Sequence, residues 1–301
     1  MPNPTTRQYF SARVDPDASV DFDTRATECI TVMAQRVGLA PEKIPNEVKN
    51  EQARVFPRIA FDAIEALGVS LKGALVVDLG AGLGSASVEA SQRGAIPIAV
   101  EPGSGWRELA FDRIRASGPG GLVAAVGEAL PFRDNSIDIV VSLMVLEHVT
   151  NPQQVIEEVF RILKPGGVFF LACENYLCFR EPHYRVAWLP LMPKRLGAAY
   201  LRLRGKPTEF LYDSITYVTR PGVERMLRSA GFLFESKRRL EQVVQSPANI
   251  ETPWKRKVVS RSKQLLSDQQ LIQAARAFTK VRDLCRGPIC EILRKPSAVQ
   301  S

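Results

Sequence analysis

Hydrophobic positions follow two alternating rhythms through the middle of the chain. Short apolar runs at 74–79, 96–101, 122–126 and 137–143 have the length of buried strands. Between and after them, 85–93, 105–116 and 152–163 carry apolar residues at three- and four-residue intervals and predict helices. The turn Lys164-Pro165-Gly166-Gly167 then leads into a fifth buried strand at 168–173. Strands alternating with helices in this way predict a mostly parallel sheet covered on both faces.

The flanking segments follow other patterns. The first 25 residues lack any period and read as an arm. Helices are expected over 24–37 and 50–67, stopped by Gly38 and Gly68, with Pro57 as a kink or boundary, and they are placed to cover the glycine-rich loop at 80–84. Downstream, 175–218 is rich in aromatic, Arg and Pro residues and reads as an insertion hanging over the carboxyl edge of the sheet. A helix at 220–230 ends at Gly231, a strand pair is expected at 232–236 and 240–245, and a separate helical tail begins after Pro247. Three units result: 1–70 as arm and covering helices, 71–246 as the main domain with its lid at 175–218, and 247–301 as a basic helical extension.

The first strand ends in Asp78-Leu79-Gly80-Ala81-Gly82-Leu83-Gly84. Glycines at alternating positions let the backbone take positive φ and admit a ligand to contact distance, and the helix after them offers unsatisfied N–H groups. This is a loop for an adenosine-containing ligand. A nicotinamide fingerprint would place its third glycine where Ser85 stands, so a dinucleotide and an oxidoreductase are disfavoured.

Composition and charge narrow the picture. The 301 residues carry a net charge of +8. The stretch 255–295 holds eleven basic and three acidic residues, a difference of +8, so the rest of the chain sums to zero. Within that neutral remainder, 180–206 is a second basic stretch. In the tail, Leu271, Ala274, Ala275, Phe278, Val281 and Cys285 share one helical face, and Trp254 precedes Lys255-Arg256-Lys257. Such a tail suits peripheral membrane contact through 254–295, homo-oligomer packing or docking on its own domain. No nucleic-acid recognition module accompanies the charge. No apolar run reaches the roughly 18 residues of a membrane span, and no signal-peptide order opens the chain, so a cytoplasmic, at most membrane-peripheral, location is expected. Five scattered cysteines and two histidines argue against a metal site.

Several motifs in order add a resemblance: the 77–84 loop, Glu101, Glu128-Ala129-Leu130-Pro131-Phe132, Asp134-Asn135-Ser136-Ile137-Asp138, Leu146-Glu147-His148-Val149, Leu163-Lys164-Pro165-Gly166-Gly167 and Ala230-Gly231-Phe232. Over about 75–232 the chain resembles the class I S-adenosylmethionine-dependent methyltransferases, especially the ubiquinone/menaquinone-type group. The resemblance implies a doubly wound, Rossmann-like α/β sheet of seven strands, order 3-2-1-4-5-7-6, with the seventh antiparallel. It implies that Asp78, Gly80, Ala81, Gly82 and Gly84 face the amino-acid end of S-adenosylmethionine, that Glu101 accepts the ribose hydroxyls, and that Pro102 edges the adenine. Val126 stands where the family commonly has an Asp on the adenine amino group, which leaves Gly127 and Glu128 as the nearest polar candidates; Leu143 would line the floor. A non-catalytic scaffold with the cofactor fold is the alternative that Val126 raises.

Methyl transfer is an in-line displacement, so positioning supplies most of the rate, and a hydroxyl acceptor must also lose its proton. His148, after the fourth strand, and His183, in the lid, are the candidate bases, beside Glu147. The lid's Tyr176, Phe179, Tyr184, Trp188, Tyr200, Phe210, Tyr212 and Tyr217 either stack on an acceptor or build a lid core. With Arg180, Arg185, Lys194, Arg195, Arg202 and Arg204 they suit a small-molecule, glycan or lipid-linked acceptor methylated at oxygen, with a nucleic acid as the rival.

Overall fold

A computed structural model describes residues 21–235 and 287–297. Its strands in chain order are β1 Leu75–Leu79, β2 Ile96–Val100, β3 Gly121–Val123, β4 Ile137–Leu143, β5 Leu163–Cys173, β6 Arg180–Glu181, β7 Val186–Ala187, β8 Leu233–Phe234 and β9 Ile289–Arg294. The helices are α1 Phe22–Arg36, α2 Ile44–Ala53, α3 Val55–Ala66, α4 Ser85–Gln92, α5 Ser104–Ser117, α6 Pro152–Ile162, α7 Lys194–Leu203, α8 Glu209–Asp213 and α9 Arg220–Ser229. Seven strands form one sheet in the order β3-β2-β1-β4-β5-β9-β8. Counting this sheet's strands alone, the order is the expected 3-2-1-4-5-7-6. Strands β1 to β5 pair in parallel, and β9 is antiparallel to both β5 and β8.

The near-continuous apolar runs of β1, β4 and β5 are explained by burial on both faces. Alternate side chains point to opposite sides: Val76, Ile139, Val141 and Phe170 pack with Phe61 and Ile64 of α3 and Ala86 and Ala90 of α4. On the other side, Val77, Val140, Phe169 and Leu171 pack with Val155, Ile156 and Val159 of α6 and Val223 and Leu227 of α9. A third apolar cluster joins Ala26, Cys29 and Ile30 of α1 to Leu83 of the glycine loop and to Trp106 and Leu109 of α5. The first helix therefore does cover the loop.

Four boundaries differ from the sequence reading. Helix α1 starts at Phe22, inside the supposed arm, because Asp21 caps it by accepting from the N–H groups of Asp23 and Thr24. The expected 50–67 helix breaks at Arg54, which has φ 51°, rather than at Pro57. Pro57 falls in the first turn of α3, where its missing N–H leaves no helical bond unmade. The Lys164–Gly167 turn lies within β5, where the register shifts between the Ile137 and Ile139 pairings. The third strand stops at Val123, short of 126.

The largest correction concerns the closing strand. It comes from Ile289–Arg294, inside the segment assigned to a helical extension, so the sheet draws on residues beyond the 71–246 unit. Ile289, Ile292 and Leu293 are fully buried, and the buried Glu291 accepts from Arg220 at 3.2 Å. The basic charge of 255–295 outweighed this short apolar pattern in the sequence reading. The 240–245 strand and the amphipathic face from Leu271 to Cys285 lie outside the described residues, as does Trp254.

The lid has its own core. Tyr176, Tyr184, Val186, Trp188, Ala198, Leu201, Phe210, Leu211 and Ile215 pack together with Val37 at the end of α1. Most of the lid aromatics thus hold the lid together, while Phe179 and Tyr212 are exposed.

One close approach fixes where the lid's floor meets the glycine loop. A Cβ on Gly80 would lie 2.4 Å from Val145 Cγ2, and Gly80 has φ 69°. Gly80→Ala is expected to cost about 1–3 kcal/mol of stability, and part of that loss should return when Val145→Ala is added. Chemical denaturation of the four proteins in this cycle checks it; strictly additive losses would contradict the contact.

Candidate functional site

The site forms where β1, β2 and β4 end, at the carboxyl edge of the sheet. After Leu79 the chain turns through Gly80, Gly82 and Gly84 at φ 69°, 50° and 72°. Each glycine meets a different constraint. Gly80 faces Val145, Gly84 faces Ala110 of α5 at 3.1 Å, and a Cβ on Gly82 would meet nothing within 4 Å among the described residues. The loop is thus pinned at both ends and open at Gly82. Its backbone is anchored on β2 by the Gly80 and Ala81 N–H groups, which donate to the Val100 carbonyl at 2.9 and 3.1 Å.

Two buried carboxylates shape this cradle. Asp78 Oδ2 accepts from the N–H and the hydroxyl of Ser87 at 2.8 and 2.7 Å, tying the strand end to the first turn of α4. Burial pushes its carboxyl up to about 6, against the Ser87 bonds and the more distant Arg113. Glu101, just beyond β2, accepts from Gly82 N–H at 2.9 Å through one oxygen and from Gly103 N–H at 2.8 Å through the other. Burial raises its pKa too, partly offset by those two bonds. A carboxylate has about four acceptor positions, so both oxygens keep capacity for a ribose diol.

The adenine-side candidates divide. Pro102 and Val126 are half-buried at the rim. Gly127 is buried, and a Cβ there would press on Val155 at 3.2 Å. Glu128 turns onto the start of α6, accepting from the N–H groups of Thr150 and Asn151 at 2.8 and 3.2 Å. That engagement gives it a helix-capping role in this structure. Leu143, half-buried at the end of β4, precedes Met144, which has φ 56°.

The two histidines, far apart in sequence, meet edge to face with ring centroids 5.0 Å apart. His148 Nδ1 lies 2.7 Å from the Ser214 carbonyl, so Nδ1 carries a proton and donates it to that oxygen. His183 Nδ1 lies 3.1 Å from Glu181 Oε1. Glu181 is fully buried and also accepts from the Tyr176 hydroxyl at 3.2 Å and from Tyr184 N–H. Burial disfavours the His183 imidazolium, but Glu181, Glu147 and Glu174 outweigh it and raise its pKa. Glu147 is also fully buried: one oxygen accepts from Glu174 N–H at 3.2 Å, and burial lifts its carboxyl to about 7.

Sequence reasoning missed Glu181, Tyr176 in its polar role, Ser214 and Glu174. Glu181 stood out only as the single acid in a basic stretch. Its partners are set by the β6–β7 turn and lie in no motif.

A doubly wound sheet with a glycine loop after β1 and a buried carboxylate after β2 is the architecture of a nucleotide-cofactor domain. The comparisons specify it. A family model described as a methyltransferase domain matches residues 77–171. An uncharacterized methyltransferase of Mycobacterium marinum is 33% identical over 183 residues, covering 57% of this chain and 71% of that protein. One from Mycobacterium leprae is 35% identical over 201 residues, covering 61% and 72%. The solved structure of a candidate sarcosine dimethylglycine methyltransferase from Galdieria sulphuraria shares the fold, with a TM-score of 0.52 at 16% identity over 92% of this chain and 99% of that one. The chain belongs to the class I S-adenosylmethionine-dependent methyltransferases, and S-adenosylmethionine is its methyl donor. No helix among the described residues is long and apolar enough to cross a membrane.

The Asp78 environment has a measurable consequence. Its carboxyl titrates near 3.8 when unfolded and at about 6 when folded, so the folded state binds the proton more tightly. The cost of holding the carboxylate therefore accrues as pH rises from about 4 to 6 and stays constant above. Asp78→Asn should keep the Ser87 bonds through its carbonyl oxygen and gain on wild type by roughly 2–3 kcal/mol across that window. Denaturant midpoints at several pH values measure the gap; a gap independent of pH would contradict the assignment.

Proposed function

We propose that this methyltransferase methylates a hydroxyl oxygen of a small-molecule, glycan or lipid-linked acceptor bound between the lid and the sheet edge. The observation that carries this reading is the convergence of His148 and His183 beside the cofactor loop. Val145, which packs on Gly80, accepts from the His148 N–H through its carbonyl at 2.8 Å, so the imidazoles stand one turn from the cradle. Both rings have Nδ1 engaged on protein acceptors, which makes Nε2 the ring atom proposed to meet the acceptor.

A neutral alcohol needs such help. The oxygen gives up its proton, its electron pair attacks the methyl carbon in line with sulfur, the carbon–sulfur bond breaks, and its pair returns to sulfur as the neutral thioether. Alignment supplies most of the rate, and the imidazoles activate the oxygen. The lid surface supports an acceptor with both apolar and anionic parts: Phe179, Leu189, Leu196 and Leu203 are exposed, as are Arg180, Arg195, Arg202 and Arg204. A lipid-linked or phosphorylated sugar has that chemistry.

Incubation of the protein with methyl-labelled cofactor and cell extract, split into lipid, glycan, small-molecule, protein and nucleic-acid fractions, tests the proposal. Label is expected in the first three as an alkali-stable ether. Label in nucleic acid or protein alone would overturn it. His148→Ala and His183→Ala should each lower transfer by about 10²–10⁴-fold while leaving cofactor affinity unchanged; full activity in both would remove the histidines from the reaction.

A further inference from the structure

We propose that Glu147, His148 and His183 bind a divalent cation of zinc-like chemistry, through two imidazole nitrogens and one carboxylate oxygen. The ligand atoms of these three residues lie within 4.8 Å of one another. Donors around a tetrahedral ion with bonds of roughly 2.0–2.1 Å sit about 3.4 Å apart, so binding draws the side chains inward by about 1 Å of rotation. Two imidazoles sharing one such ion hold their centroids about 5 Å apart, and the two rings here are already at 5.0 Å.

Two independent features point to a positive ligand. Glu147 is fully buried, and its Oε2 has no hydrogen-bond partner among the described residues. A buried carboxylate oxygen left unpaired is costly, and a coordinated cation removes that cost. The second feature is the shell behind the donors. Metal-binding imidazoles characteristically donate their other ring N–H to a carbonyl or carboxylate, which fixes tautomer and orientation. His148 does so to Ser214 O, and His183 to Glu181, which Tyr176 and Tyr184 hold in turn.

The donor set is two histidines and a glutamate, the set of catalytic zinc sites that keep a position open. Both histidines retain solvent exposure, so that position faces the acceptor side. The ion's role rests on the oxygen-acceptor reading above. A coordinated hydroxyl is acidified, releases its proton to solvent, and attacks the methyl carbon as the metal-bound oxygen; the ion is neither oxidised nor reduced. The histidines then activate the acceptor as ligands. Scarce cysteines and histidines speak against a metal in the sequence, yet the only two histidines in the chain are brought together by the fold.

Full-length protein stripped with chelator, then titrated with Zn²⁺ by calorimetry and with Co²⁺ by visible absorption, tests the site without turnover. One ion per chain and a tetrahedral Co²⁺ band are expected. Affinity should fall at least 100-fold in His183→Ala and Glu147→Gln, and 10–100-fold in Glu181→Gln, whose residue only supports a ligand. Binding of S-adenosylhomocysteine by each variant shows that it is folded, and Glu181→Gln keeps the test alive if a ligand variant is not. No zinc bound by wild type, or zinc bound equally by all variants, overturns the proposal. Undiminished oxygen methylation by metal-free protein overturns the ion's role while leaving the proposed function standing; zinc binding with transfer to nitrogen alone upholds the site and overturns the oxygen reading.

Discussion

The structure turns on the contact between Gly80 and Val145. The glycine loop can close on the end of β4 only because Gly80 has no side chain: a single Cβ there would reach within 2.4 Å of Val145. Val145 begins the segment that carries Glu147 and His148, so this one approach sets the distance between the glycine loop and those two residues. The lid is stitched to the same segment. Thr216 N–H donates to the Glu147 carbonyl at 2.7 Å, and its hydroxyl to the Val149 carbonyl at 2.8 Å. The glycine loop, Glu147, His148 and the lid are thus tied to one short stretch of backbone, and fixed geometry of this kind suits an in-line displacement, in which a protein supplies mainly alignment.

The second organising feature is negative charge gathered at the carboxyl edge. Asp78 and Glu101 are buried under the loop, and Glu147, Glu174 and Glu181 surround His183. Burial raises the pKa of Asp78, Glu101, Glu147 and Glu174, the signature of carboxylates held in place at a cost. Backbone N–H groups offset part of that cost at three of these four: Ser87 for Asp78, Gly82 and Gly103 for Glu101, and Glu174 for Glu147. A sulfonium cofactor is cationic until the methyl group leaves, and an acidic edge favours its binding. An ion-pair network elsewhere in the molecule is balanced by an arginine: Arg93 joins the exposed Asp62 and Glu65 of α3 to the buried Glu89 of α4.

Much of the fold was legible because it rests on local chemistry. The β1–β5 alternation is written in apolar runs and in helical spacing, and the glycine loop in residues whose backbone angles few others adopt. What sequence could not show was pairing over long separations. Strand β9 lies in a stretch dominated by basic residues, and its place between β5 and β8 depends on which apolar edge was vacant. The same holds for the site. Motif spacing singled out Gly80, Gly82 and Glu101 as candidates, and the structure brings them together at one strand edge, whereas Glu181 and Ser214 contact the histidines through tertiary contacts alone. Glu128 adds a contact that its motif did not show: its Oε1 accepts from the N–H groups of Thr150 and Asn151 at the start of α6.

The proposal that the methyl donor lies against the open wall of the glycine loop at Gly82 makes one direct prediction. Calorimetric titration of S-adenosylhomocysteine into wild type and Gly82→Arg tests this most directly, with thermal melting to show that both are folded. Micromolar one-to-one binding by wild type and none by the folded variant is the predicted result. Equal affinity in both proteins, or no binding by wild type, would contradict it.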